Sequence, residues 1–363
     1  VDILVVTVVH DPEDARIRHR QIRALLDAGH RVTYAAPFTA YQRPVPDDVA
    51  TVELPRARGK RRLAAARAAR RLLRTRGRSF DVTLLHDPEL VVAAAGLRVP
   101  GLVWDVHEDT AAAVEMKTWL PSALRPAAAR LIRVAEHYAE RRMPLLLAED
   151  SYTERFRDPH PIVHNSVLVP DSAAPAASPE PRVVYLGRLT RPRGALELVE
   201  LGRRLAPDIT VEVIGPADAD CRDPLAAAHD EGVLRWHGFL PNDDALAHLP
   251  GTLAGLSLLH DQPNYARSRP TKIIEYMAHG VPVITTPNPS SAELVDRYGC
   301  GLVVPFGDVA AAESRIRALA RDVESYHRYS AAGRAAALEN YSWSAEADTF
   351  VRTLEEFAAH AVR

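Results

Sequence analysis

The feature that most constrains this chain is an alternation running nearly its whole length, in which short β-branched runs are each followed by a helical pattern. In the first half the runs are ILVVTVV (3–9), RVTYAA (31–36), DVTLL (81–85), GLVWDV (101–106) and PLLLA (144–148). Between the first two, Ile22, Leu25 and Leu26 recur at helical spacing and Gly29 supplies a stop signal. Strand, helix and strand in that order make a parallel sheet covered by helices. A second series runs VVYLG (183–187), ITVEVIG (209–215), VLRWHG (233–238), AGLSLL (254–259), VPVITT (281–286) and GLVV (301–304). Between the two series, SVLVPDSAAPAASPEPR (166–182) replaces periodic structure with Pro, Ala and Ser and reads as a linker. At 363 residues the chain exceeds the size at which one core keeps growing. The expected fold class is α/β, with two doubly wound Rossmann-like parallel-sheet domains, 1–166 and 183–341, joined by 167–182 and facing across a cleft. Ligands are expected at strand carboxyl ends. One large domain with a long internal loop is the other reading, which two complete series disfavour.

Charge and cysteine content remove several classes of function. With 45 basic against 47 acidic residues, overall charge argues for no polyanionic partner, so any electrostatic message is local. Cys221 and Cys300 are too few for a disulfide framework or a thiolate zinc site, which fits a reducing cytoplasm. The apolar run that opens the chain is too short for a signal or a span, and no later run reaches membrane-spanning length, so a soluble cytoplasmic protein is expected. Fifteen histidines are scattered without metal-ligand spacing to a carboxylate or thiolate, and no metal or other cofactor is expected.

One local charge run stands out. RARGKRRLAAARAARRLLRTRGR (56–78) holds eleven Lys or Arg and no acid. Arg67, Arg71, Arg74 and Arg78 fall on one helical face, with Ala65, Ala69 and Leu72 opposite. It reads either as the solvated face of a covering helix or as a patch for anionic lipid or an anionic acceptor, placing the protein peripherally at the inner membrane surface. Nucleic acid is not expected, because no aromatics interleave the arginines for base stacking.

Two stretches carry chemistry. In YLGRLTRPRG (185–194), Gly187 turns the chain tightly, and Arg188 and Arg193 project beside the next helix start, where free amides and the dipole favour an anion. Guanidinium groups bind phosphate in a bidentate way. The same arginines also read as surface residues of an arginine-rich chain. In SRPTKIIEYMAHGVPVITT (268–286), Thr271 begins a helix and Glu275 shares its face. There Lys272 suits a pyrophosphate and Glu275 a diol such as ribose. The plainer reading is a helix with Lys and Glu facing solvent, but the apolar context of IIEYMA makes an unpaired carboxylate costly.

These stretches together resemble the donor half of glycosyltransferase family 4, retaining enzymes of GT-B architecture, through the GRL…RG turn, the PTKIIEYMAHGVPVI block and AELVDRYGCGLVV (292–304). HDPEDARIRHRQIRALLDAGHRVT (10–33), LLHDPEL (84–90), WDVHED (104–109) and IVHNSV (162–167) are similar to bacterial members, and YSWSAEADTF (341–350) to the start of a closing helix, about 342–363, that packs back on the first domain. The resemblance implies a retaining, metal-independent transfer of a sugar from a nucleotide-diphosphate-sugar donor to an acceptor hydroxyl. It implies an acceptor-binding first domain and a donor-binding second one. Arg188 and Arg193 would hold the donor diphosphate beside Gly187, and Thr271 and Lys272 would lie by phosphate or sugar. Glu275 would bind ribose and His107 would lie beside the transferred sugar. His10, Glu108 and Asp109 fall on the acceptor side, and His86, Asp87 and Glu89 lie near them. Arg267 stands where the family commonly has the first of two glutamates, the one that touches the sugar. Two rivals remain: a nucleotide-sugar epimerase of the same architecture, and a catalytically silent binding protein, which Arg267 suggests.

Overall fold

The computed structural model describes residues 1–107, 111, 121, 124–171, 181–267 and 271–361. The chain divides into two compact units, Val1–Asn165 with Trp343–Arg363, and Ser166–Ser342. In the first, β1 (Asp2–Val6), β2 (Arg31–Ala36), β3 (Ala50–Glu53), β4 (Val82–Leu85), β5 (Leu102–Val106) and β6 (Leu145–Leu147) form one sheet in the order β3-β2-β1-β4-β5-β6. In the second, β7 (Arg182–Leu186), β8 (Thr210–Ile214), β9 (Arg235–Gly238), β10 (Ala254–Ser257), β11 (Val283–Thr285) and β12 (Gly301–Val303) take the order β12-β11-β10-β7-β8-β9. All pairings within both sheets are parallel.

Counted from its own first strand, each sheet has the same doubly wound order. Its switch points fall between β1 and β4 and between β7 and β10. Every strand expected from the alternation forms. β3 is an addition, because ATVE lies at the sheet edge with no buried residue and so carries no apolar run to read.

Central strands are buried on both faces. Leu4, Val6, Leu85 and Trp104 pack with Ala65, Ala69, Leu72 and Leu73 of the Arg62–Arg76 helix. On the opposite face Ile3, Val5, Tyr34 and Val103 pack with Trp343, Phe350 and Leu354 of the closing Trp343–Ala361 helix. Full burial of such a side chain stabilises by about 1.5–3 kcal/mol.

The segment after β1 is unusual. Asp14 caps it by accepting hydrogen bonds from the Arg16 and Ile17 amides, and Ala15–Ile22 is then wound as a π-helix before Arg23–Asp27 returns to α-helix. Wide turns of this kind concentrate at functional sites. Here Arg16, Arg20 and Gln21 are buried polar residues. Among the described residues no helix is long and apolar enough to cross a membrane, and both cysteines are free and buried.

Candidate functional site

Each unit carries a group of functional side chains at the carboxyl ends of its central strands. In the second unit the backbone leaves β7 at Gly187, whose φ of +117° suits glycine. Any side chain on Gly215, after β8, would strike the Gly187 carbonyl oxygen at 2.0 Å, so the two strand ends meet backbone to backbone. A Cβ on Gly187 itself would lie 3.7 Å from Lys272 Nζ, so Gly187 leaves only hydrogen over that ammonium.

Lys272 is the centre of this group. Its Nζ is enclosed from solvent, has no hydrogen-bond partner, and stands 3.7 Å above the centroid of the Tyr185 ring. Burial pushes its pKa well below the usual lysine value, the nearby charge of Arg193 adds to this, and Glu275 opposes it. Tyr185, itself pushed up by burial, donates its hydroxyl to the Arg188 carbonyl at 3.0 Å and so pins the turn. Arg193 is half-buried at the end of a single 3₁₀ turn, Arg191–Arg193, and forms no ion pair among the described residues. Gly194 follows at φ +82°, and a Cβ there would meet the Leu258 carbonyl oxygen at 2.4 Å. The Ala195–Leu205 helix then starts beside the two cations. Two cations that form no ion pair among the described residues, next to glycine backbone and a helix start, suit an anion.

The remaining donor-side residues sort differently. Arg188 is exposed and turned to Asp218, to which its Nε donates at 2.8 Å, so it must exchange that partner to reach a ligand. Thr271 opens the Thr271–Ala278 helix and is half-buried. Glu275, one turn on, is half-buried and makes contacts of its own. Its neighbour Tyr276 is fully buried and fixes the helix to the sheet by accepting from the Leu186 amide and donating to the Leu256 carbonyl. Arg267 ends the short Pro263–Arg267 helix, and its side chain lies outside the described residues. Sequence reasoning missed Tyr185, which reads as an ordinary strand residue, and the His260 Nε2 to Glu197 Oε1 contact of 2.7 Å at the β10 end.

In the first unit three histidines and two buried aspartates converge. His107, after β5, and His10, after β1, face each other Nε2 to Nε2 at 3.1 Å, within hydrogen-bond distance. His107 Nδ1 lies 3.2 Å from the Asp105 carbonyl oxygen, and His10 Nε2 lies 3.3 Å from Asp87 Oδ1. Asp87 precedes Pro88 at the start of the Pro88–Ala94 helix yet does not cap it. Its carboxylate instead accepts from the Thr7 hydroxyl and the Val8 and Val9 amides, holding the loop that carries His10. Asp105 accepts from Arg16 Nε at 2.9 Å, Arg16 Nη2 at 2.8 Å and Gln21 Nε2 at 3.0 Å. Burial alone would raise its pKa, but Arg16 above all, with His107 and His86, holds it well below the usual carboxylate range. His86 is buried with its Nδ1 3.3 Å from Asp105 Oδ2, and burial, the largest influence, pushes its pKa below the usual histidine value while Asp105 opposes this.

Glu108 and Asp109 lie outside the described residues. Glu89 faces away to Arg62 of the basic helix, its pKa raised by burial. Arg16 and Gln21 were missed by sequence reasoning, since nothing local marks a partner 89 positions away. Two clusters have metal-like composition: His86, Asp105 and His107, and Glu212, His237 and His248, each with ligand atoms within 4.8 Å of one another. In both a guanidinium already lies against the carboxylate, Arg16 in the first and Arg182, 3.2 Å away, in the second.

Comparison with known proteins fits this geometry. Residues 171–336 match the family of glycosyl transferases group 1. A phosphatidyl-myo-inositol mannosyltransferase of Mycobacterium leprae is 27% identical over 296 residues, covering 77% of this chain and 74% of that protein. The second unit therefore carries the sequence signature of glycosyl transferases group 1 along nearly all of its length. The fold of the chain is shared with solved GT-B structures. A sucrose-phosphate synthase from Thermosynechococcus elongatus matches with TM-score 0.75 at 17% identity, over 99% of each chain. HepE of Anabaena, in complex with UDP-glucose, matches with TM-score 0.68 at 14% identity, over 98% of this chain and 99% of that one. The group 1 match lies within the second unit, the unit that carries Lys272 and Arg193.

Proposed function

We propose that this protein is a retaining glycosyltransferase that moves a sugar from a nucleotide-diphosphate-sugar donor, held by the second unit, to an acceptor hydroxyl bound by the first. The observation that carries the reading is the enclosed ammonium of Lys272, without a hydrogen-bond partner, beside the guanidinium of Arg193, which forms no ion pair among the described residues. Such charges are expensive to bury and are retained where an anion completes them. The UDP-glucose complex of HepE supports a donor of this class.

The leaving diphosphate gains negative charge as the glycosidic bond breaks. Lys272, Arg193 and the amides opening the Ala195–Leu205 helix are fixed in advance to stabilise it, and Arg188 joins them on leaving Asp218. Preorganised charge of this kind supplies the largest share of catalysis in many enzymes and asks for no metal ion here. Glu275 takes the ribose hydroxyls. His107, supported by the Asp105 carbonyl and facing His10, orients the transferred sugar, and His10 lies on the acceptor side. The relative that acts on phosphatidyl-myo-inositol supports a glycolipid acceptor, met at an anionic membrane surface by the 56–78 run. The two buried free thiols suit a reducing, cytoplasmic location.

A thermal-shift screen against nucleoside diphosphates and their sugars tests the reading. A ligand at 100 times its dissociation constant stabilises by about 2.7 kcal/mol. One nucleotide series is expected to raise Tm in wild type, with Arg193→Ala losing about 10- to 100-fold in affinity. No shift with any nucleotide, or an unchanged affinity in Arg193→Ala, overturns it.

A further inference from the structure

At the amino-terminal end of the first sheet, a cavity of about 530 Å³ opens among Arg78, Arg98, Arg142, Leu97, Val99 and Tyr138. Leu102, the first residue of β5, also lines it, so it lies roughly 16 Å along that strand from His107. It belongs to neither group of residues described above. Its three arginines are exposed, and none has a carboxylate partner among the described residues. Arg78 Nε donates to the Arg98 carbonyl at 3.3 Å, and the Arg142 guanidinium lies 5.5 Å from the Tyr138 ring centroid. The floor is apolar, the rim is triply cationic, and that combination fits an anionic amphiphile.

Beside the cavity the surface is apolar in a pattern. On the Arg125–Glu140 helix, Leu131 is 70%, Val134 59% and Tyr138 37% exposed. Their spacing places them on one stripe that ends at the cavity. The Pro88–Ala94 helix packs alongside and adds Val92, 63% exposed. Beyond it the Arg62–Arg76 helix presents Arg67, Arg71 and Arg74, exposed and without ion pairs among the described residues. Scattered exposed apolar residues need no explanation, but an aligned stripe bordered by unpaired arginines is the composition of an interfacial surface.

We infer that this cavity takes the phosphate headgroup of an anionic lipid while the Leu131, Val134 and Tyr138 stripe lies against the acyl boundary of a membrane. The inference deepens the lipid reading of the 56–78 run and rests on it. Arg78 joins the two, being both the end of that run and a wall of the cavity.

Sedimentation with vesicles tests it. Wild type is expected to sediment with phosphatidylglycerol/phosphatidylcholine vesicles and not with phosphatidylcholine alone, salt weakening but not abolishing the binding. Arg98→Ala with Arg142→Ala is expected to lower partitioning about 25-fold, at roughly fivefold per arginine. Leu131→Ser with Val134→Ser is expected to remove the salt-resistant part. All four positions are exposed, and an unchanged Tm checks the fold. If the Arg98/Arg142 variant sediments like wild type while Arg67/Arg71/Arg74→Ala does not, the cavity inference fails and the lipid reading of the run stands. Sedimentation of wild type indifferent to lipid charge overturns both. Competition by millimolar inorganic phosphate that abolishes vesicle binding, or an equal affinity for a single-stranded oligonucleotide lost in the same variants, overturns the lipid assignment. Nucleotide-induced thermal shift is read in parallel, so failure of the donor reading is seen separately.

Discussion

The Lys272 ammonium is buried at an energetic cost. An enclosed ammonium without a hydrogen-bond partner destabilises the fold; the Tyr185 ring beneath it recovers part of that cost, and a bound anion would offset more. Lys272→Met is therefore expected to stabilise the free protein by roughly 1–3 kcal/mol in denaturant melts while weakening nucleoside diphosphate binding by about 10- to 100-fold. A variant that is less stable and binds as well as wild type refutes the assignment. The depressed pKa gives a second consequence. Between the folded value and the unfolded value near 10.4 the unfolded chain holds more protons, so the stability contribution of Lys272 rises with pH across that window. A diphosphate drives the pKa back up, so binding in that window takes up a proton, measurable by calorimetry in buffers of different ionisation enthalpy.

Asp105 behaves in the opposite sense. Its folded pKa is depressed, so its contribution is complete above the unfolded carboxylate value near 3.9 and is lost as pH falls below it toward the folded value. Asp105→Asn strands Arg16 and should cost about 3–5 kcal/mol, with a flatter acid limb of the stability profile. Glu275 was legible in the sequence because a carboxylate amid IIEYMA is conspicuous, and Lys272 because it stands in the first turn of the same helix. The Asp105–Arg16 pair was not, because each half looks ordinary and only the sheet brings them together.

At the scale of elements, the strands were legible because parallel strands are buried on both faces and read as unbroken β-branched runs. β3 and the π-helical Ala15–Ile22 were not, since an exposed edge and a one-residue widening of a helix leave no pattern in composition. Asp87 shows the same limit: it stands just before Pro88 at a helix start, yet its carboxylate holds the 7–10 loop instead of capping the helix. Both chain crossings between the units are also tied by contacts far apart in sequence. Val167 bridges to Ser342, its amide donating to the Tyr341 carbonyl at 2.9 Å. His164 Nδ1 lies 2.8 Å from Glu346 Oε1 at the start of the closing helix, and its Nε2 lies 3.1 Å from Asp150 Oδ2. The hydrogen bond to Glu346 raises the His164 pKa, partial burial opposes this, and Asp150 adds to it. A raised histidine contributes fully below its unfolded value near 6.5, and the contribution is lost as pH rises through the folded value. Hydrogen exchange in the first turns of the closing helix is thus expected to quicken, beyond the intrinsic pH effect, as pH climbs above 6.5. His164→Gln should abolish that extra dependence. An unaltered pH dependence in the variant assigns it to another group.

For the whole molecule, the two units differ in how the chain builds them. The second is one continuous segment, 166–342, and holds all six strands of its sheet together with Gly187, Arg193, Lys272 and Glu275. The first is completed only when Trp343–Ala361 returns to cover its sheet with Trp343, Phe350, Val351 and Leu354. At about 1.5–3 kcal/mol for each buried side chain, those four contribute roughly 6–12 kcal/mol, comparable to the 5–15 kcal/mol that holds a whole domain. Deleting 343–363 is therefore expected to unfold the first unit and leave the second folded. The 166–342 segment expressed alone should melt cooperatively and bind its nucleoside diphosphate within about tenfold of the full chain, a difference of some 1.4 kcal/mol, without transferring sugar. Calorimetry on the segment and on the truncated chain decides this. A folded segment that binds no nucleotide would place essential donor contacts in the first unit, and the reading of Lys272 and Arg193 as a self-sufficient diphosphate site would have to be given up.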